Sequence, residues 1–158
     1  MSYPCGSYDD RVVTALPVPG IEYARTTKSH GGLELPADFL RWHPTCHQKQ
    51  TVERTEALLR HRDPSGRMAL LYVRGRSFEF DRDDNRVLVD AAGELPAGAD
   101  DVWKATNAEI VACKQALDRL RFSSDCTVVH NPSGLEVWIE ADGKPVAVGP
   151  ESSSICRR

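Results

Sequence analysis

Motifs that would name a reaction are missing. The 158 residues contain no Gly-rich phosphate loop of the G-x-x-x-x-G-K type, no G-x-G-x-x-G, no H-E-x-x-H and no G-x-S-x-G. Common nucleotide and hydrolase chemistry is therefore unsupported, and no cofactor is implied. No apolar run approaches the length of a membrane span. The opening MSYPCGSYDD has no basic stretch leading into an apolar one, so no signal peptide is expected. Net positive charge is also absent. Twenty Lys and Arg face 23 Asp and Glu, a formal charge of −3, which argues against a general polyanion binder. Cysteine never forms a C-x-x-C pair. Cys5, Cys46, Cys113, Cys126 and Cys156 are scattered and odd in number, a pattern expected of reduced thiols in the cytoplasm rather than of a disulfide framework or a zinc ribbon. Cys156 stands third from the end, where a prenylation box needs the fourth position, so lipidation is not expected.

What is present suits one domain over 1–158. A hydrophobic content of 41% is enough for a core. Residues 1–35 are rich in Pro and Gly. Two short pieces there, Arg11–Leu16 and Ile21–Thr26, read as edge strands separated by Pro17-Val18-Pro19-Gly20. A short helix is expected after Leu35, ending before Pro44. Thr45-Cys46-His47-Gln48 matches the capping box S/T-x-x-E/Q. It predicts a helix over about 46–62, with Glu56 and Arg60 as an i,i+4 pair and a thin apolar face of Val52, Thr55 and Leu59.

Three strands are predicted next: Met68–Val73, Ser77–Asp81 and Arg86–Ala91. Gly75-Arg76 and Asp83-Asp84-Asn85 serve as the turns of this meander. Thr106-Asn107-Ala108-Glu109 is a second capping box. Ile110, Cys113, Leu117 and Leu120 recur at helical spacing behind it, predicting a helix over about 107–122. The last part alternates as strands. Asp142-Gly143 is a type I′ hairpin signal that pairs Val137 with Val148, Trp138 with Ala147 and Ile139 with Val146. The fold class is α+β: a mostly antiparallel sheet, made of the meander 68–91 and the hairpin 127–149, with two main helices packed on it.

Four places carry possible chemistry. In RWHPTCHQKQ, His43, Cys46 and His47 lie within five positions. The stretch reads foremost as a helix boundary. The rival reading makes Cys46 a nucleophile at a helix N-terminus, with His43, His47 or the distant His130 as base. No metal site is expected, because Cys46 and His47 would point about 100° apart on a helix and no fourth ligand is evident. Asp81, Asp83 and Asn85 begin like a calcium loop, but Arg86 and Ala92 stand where Gly and Glu are needed, so the segment reads as a turn. Arg60, Arg62, Arg67, Arg74 and Arg76 form a basic cluster that reads as a solvated rim or as a patch for phosphate, nucleic acid or an acidic protein. Trp138 stands between Glu136 and Glu140, opposite the face of Leu135, Val137 and Ile139. On an open face it is an interface anchor; on a covered one it is core. Trp42 and Trp103 are expected to serve packing.

These readings favour a small soluble intracellular protein-binding module, loosely similar in architecture to secretion chaperones and to immunity or inhibitor proteins. Trp138, Glu136, Glu140, Arg74 and Arg76 are its candidate binding residues. Its partner is expected to be another protein or a second copy of itself, with nucleic acid and membrane not expected. The alternative is a thiol-dependent enzyme using Cys46 with His47 or His130. A weaker one is nucleic-acid contact through Arg60–Arg76.

Overall fold

The computed structural model describes residues 1–63, 67–96 and 102–156. In chain order they form helix α1 (Asp10–Ala15), strand β1 (Cys46–His47), α2 (Thr51–Arg60), β2 (Val73–Arg74), α3 (Phe78–Asp83), α4 (Asn85–Glu94), α5 (Asn107–Asp118), β3 (Arg121–Phe122), β4 (Val128–Asn131), β5 (Val137–Ala141), β6 (Lys144–Val148) and β7 (Ser152–Ile155). This is the α+β class, with mostly antiparallel pairing. The chain forms two compact units, Met1–Trp103 and Lys104–Arg158. None of the described helices is long and apolar enough to cross a membrane.

The second unit follows its sequence pattern closely. Thr106 and Glu109 close the capping box: Glu109 N–H donates to Thr106 Oγ1 at 3.3 Å, and Thr106 N–H donates to Glu109 Oε2 at 2.7 Å. α5 sets Ala116 against Val129, Val137, Val148 and Cys156, with Leu117, Leu120 and Ile139 around them. Each fully buried valine is worth about 1.5–3 kcal/mol relative to exposure. The helix stops at Asp118 rather than near 122, because Arg121 and Phe122 leave it to pair with His130 and Val129 as β3. Asp142 and Gly143 have φ of 54° and 70°, the left-handed pair a type I′ turn requires. β5 and β6 pair in the expected register, Val137 to Val148 and Trp138 to Ala147. At the base, buried Asn131 donates from Nδ2 to the carbonyls of Leu135, Val148 and Gly149 and accepts from Ser133 N–H and Oγ. Strands β3, β4 and β7 form a separate three-stranded sheet.

The first unit departs from expectation. Arg11–Leu16 is not a strand: Asp9 Oδ1 accepts from Val12 N–H at 2.8 Å and caps α1. Of Ile21–Thr26 only Arg25 makes isolated bridges, to Ser2 and to Trp42. The helix expected after Leu35 is a single 3-10 turn, Phe39–Arg41, capped by Asp38. Thr45 is not a helix cap. Its hydroxyl donates to Leu70 O at 3.3 Å and accepts from Tyr72 N–H at 3.1 Å, which holds Cys46–His47 extended as β1. A 3-10 turn at Gln48–Gln50 follows, and α2 begins only at Thr51. The Glu56–Arg60 pair forms at 3.0 Å.

The meander over 68–91 is absent. β2 is two residues long and runs parallel to β1, Cys46 opposite Val73 and His47 opposite Arg74. Gly75-Arg76 turns no hairpin. Ser77–Asp81 and Arg86–Ala91 lie mainly in α3 and α4, and the turn between them is a helix–helix corner at Asp84, φ 50°. Glu79, not Phe78, faces inward on α3; Phe78 is exposed. In α4, Ala92 is buried, Val87 is exposed, and Arg86 pairs with Asp90 at i,i+4. The apolar run Val87–Val89 fits a helix as well as a strand, because short apolar runs do not separate the two. One core of this unit joins Tyr3, Val13 and Ala24. Another surrounds Trp42, whose ring lies 4.6 Å from Tyr72 and 5.0 Å from Phe39, centroid to centroid. Trp42 thus packs as expected, whereas Trp103 is exposed.

Candidate functional site

The residues of RWHPTCHQKQ take up structural contacts. Cys46 is 1% exposed, and burial pushes its thiol above the ordinary range. A raised thiol holds less of the thiolate that nucleophilic attack requires. The imidazole of His47 uses both nitrogens. Nδ1 accepts from Lys49 N–H at 3.4 Å, so Nε2 carries the proton it shares with Glu79 Oε2 at 3.0 Å. Glu79 also accepts from Gln48 Nε2 at 2.9 Å. This buried acid, missed in the sequence reading, is what the histidine and glutamine of the stretch hold. His43 Nδ1 lies 2.6 Å from Thr26 Oγ1. His130 belongs to the second unit, on β4, with Nδ1 3.1 Å from Ser153 Oγ. Among the described residues no group of three His, Cys, Asp or Glu side chains could hold a metal ion. Asp83, of the calcium-like segment, pairs instead with Lys49 and Arg82.

The basic cluster divides. Arg60 pairs with Glu56 and Arg67 with Asp63, while Arg62 donates to the carbonyls of Leu59 and His61. Arg74 and Arg76 differ. Together with Arg25, which the sequence reading passed over, they line a cavity of about 190 Å³ that the 2–6 segment also lines. Among the described residues, no carboxylate lies within ion-pair distance of these three arginines.

In the second unit, Trp138 is 59% exposed. Its cross-strand neighbour Ala147 is too small to cover an indole. Glu136 and Glu140 are exposed two residues to either side. Side chains two apart on a strand share a face, so Glu140 lies beside the indole, with Pro145 and Ala147 on the facing strand, while Glu136 immediately precedes β5. Val137, Ile139, Val146 and Val148 turn the other way, toward the core.

The chain matches no protein-family model, no curated protein and no solved structure. Trp138, Glu136, Glu140, Arg74 and Arg76, the binding residues expected from the sequence, lie on these two surfaces. Arg25 carried no local signal, because only the bridges to Ser2 and Trp42 bring it to the cavity.

Proposed function

We infer that this chain is a protein-binding module whose second unit takes a basic segment of a partner protein on the Trp138 face. One observation carries the reading: a mostly exposed indole framed by two exposed carboxylates on a hairpin whose other face is core. An exposed tryptophan offers large, rigid contact area at small entropic cost. Its ring face attracts a Lys or Arg side chain, and Glu136 and Glu140 add charge that steers such a partner and disfavours an acidic one. Five free cysteines fit a reducing compartment, and we place the protein in the cytoplasm on that ground.

The test is titration of the full chain with a lysine- and arginine-rich peptide and with a glutamate-rich one of equal length. The basic peptide is expected to bind with salt-sensitive affinity and the acidic one not to bind. Trp138→Ala should weaken binding by about tenfold or more without changing the denaturation midpoint. Glu136→Gln with Glu140→Gln should flatten the salt dependence. Equal affinity for both peptides, or an unaffected Trp138→Ala variant, would sink the reading.

A further inference from the structure

The cavity beside Arg74 lies in the first unit and is independent of the Trp138 face. Three arginines line it: Arg25, Arg74 and Arg76. The described residues supply no carboxylate to any of the three, and the Arg76 guanidinium lies 5.8 Å from the centroid of the Phe78 ring, so an anion entering the hollow would meet cations not already neutralised. Arg74 Nε is buried and has no hydrogen-bond partner among the described residues, which costs stability.

The walls are built rather than incidental. Tyr3 N–H donates to Arg25 O at 3.1 Å, and Arg25 N–H donates to Met1 O at 2.9 Å, fixing the 2–6 segment beside Arg25. Gly6, at φ +74°, lies so close to Thr27 that a Cβ would come within 2.2 Å of the Thr27 hydroxyl. Gly75 lets Gln48 pack on the backbone between Arg74 and Arg76; a Cβ there would fall 1.7 Å from Gln48 Oε1. Gly6 thus sits hard against Thr27, both of them lining the hollow, and Gly75 sits hard against Gln48. At about 190 Å³ the hollow is smaller than the roughly 300–1,000 Å³ of drug-sized sites, which suits a compact anionic group.

We propose that this cavity binds a phosphoryl monoester group, held by the guanidinium groups of Arg25, Arg74 and Arg76. Guanidinium forks match phosphate oxygens in pairs of parallel hydrogen bonds, and three cations match the nearly double negative charge of a monoester better than the single charge of a carboxylate or a phosphodiester. The group comes either from a small phosphorylated molecule or from a phosphorylated side chain of a partner.

Cys5 lines the same cavity and is exposed, while Cys126 is exposed in the second unit. Alkylation of the full chain, mapped by peptide mass, therefore contains its own control. The probes are inorganic phosphate, a phosphoserine peptide, its unphosphorylated form and a single-stranded oligonucleotide, at constant ionic strength set with chloride. Phosphate or phosphoserine is expected to slow Cys5 several-fold relative to Cys126. That protection should strengthen between about pH 5.5 and 7.5 as the second phosphate proton leaves. Arg76 is exposed, so Arg76→Gln should fold normally and weaken protection by about tenfold; Arg25→Gln is the second variant, checked for folding by urea denaturation. Equal protection by free phosphate and by the peptide assigns the cavity to the bare group, and stronger protection by the peptide assigns it to a phosphorylated partner. Protection by the oligonucleotide alone, equal protection by the unphosphorylated peptide, no protection at millimolar phosphate, or unchanged protection in both folded variants overturns the proposal.

Discussion

Nε2 of His47 stands 3.0 Å from the Glu79 oxygen that also accepts from Gln48 at 2.9 Å. One carboxylate oxygen thus joins α3 to the strand and turn formed by residues 46–50, and does so where the side chains are shielded from water. Removing the acid strands two donors. Glu79→Ala should destabilise the first unit by about 2–3 kcal/mol, read from urea denaturation. Glu79→Gln, which keeps an acceptor but not the charge, should lose less. Equal stability of Glu79→Ala and the parent would mean that water replaces the carboxylate freely.

Gly75 is tied to the same arrangement. Its place under Gln48 leaves no room for a methyl group, and Gln48 cannot swing away without losing Glu79. Gly75→Ala should therefore cost about 1–2 kcal/mol. In a Gln48→Ala background the same substitution should cost little, because the obstructing side chain is gone. Additive losses in the double-mutant cycle would disprove the coupling.

Burial, reinforced by the charges of Lys28 and His30, pushes the imidazole of His43 below its usual range. The folded chain then prefers neutral His43. Its contribution to stability is complete above the unfolded value of about 6.5 and is lost as pH falls through the lowered folded value, because the unfolded chain takes up a proton that the folded one resists. Denaturation midpoints should decline across that window. His43→Gln should remove part of the decline, and an identical slope in the variant would assign it to other groups.

Thiol accessibility separates the five cysteines. At neutral pH in the native state, Cys5 and Cys126 should alkylate readily. Cys46, buried and with its thiol pushed up, should react only on unfolding. Native Cys46 reacting at the rate of Cys5 would revive the nucleophile reading.

Asn131 spans three carbonyls with one amide nitrogen and anchors Ser133 with its oxygen. Asn131→Ala should cost the second unit about 2–3 kcal/mol, seen as a lower midpoint for amide exchange in β5 and β6. A loss indistinguishable from that of a surface alanine substitution would show that the turn holds itself.

The second unit was legible because its signals are local and mutually consistent. Asp142-Gly143 sets a turn, the turn sets the register, and the register buries Val137 and Val148 with half-buried Ile139 and Val146 beside them on the same face. The capping box at Thr106 worked for the same reason. The box at Thr45 failed because its hydroxyl found Leu70 and Tyr72, which are distant in sequence. Phe78 and Phe80 suggested a strand because the buried position between them is a glutamate, and no apolar pattern shows a carboxylate folding inward onto a histidine and a glutamine. The candidate surfaces divide similarly. Trp138 and its flanking acids lie within five consecutive residues, and Arg74 and Arg76 within three, so both groupings can be read from local sequence. Arg25 reaches them only through backbone pairing that leaves no trace in neighbouring residues.

The two-rung parallel ladder between Cys46–His47 and Val73–Arg74 has no length to spare. Sliding it by a single rung would send Arg74 to the opposite side and bring a valine round in its stead. Thr45, gripping Leu70 and Tyr72 just ahead of the ladder, acts as the stop that forbids the slide. The electrical character of the neighbouring hollow is thus governed by an uncharged hydroxyl that never touches it.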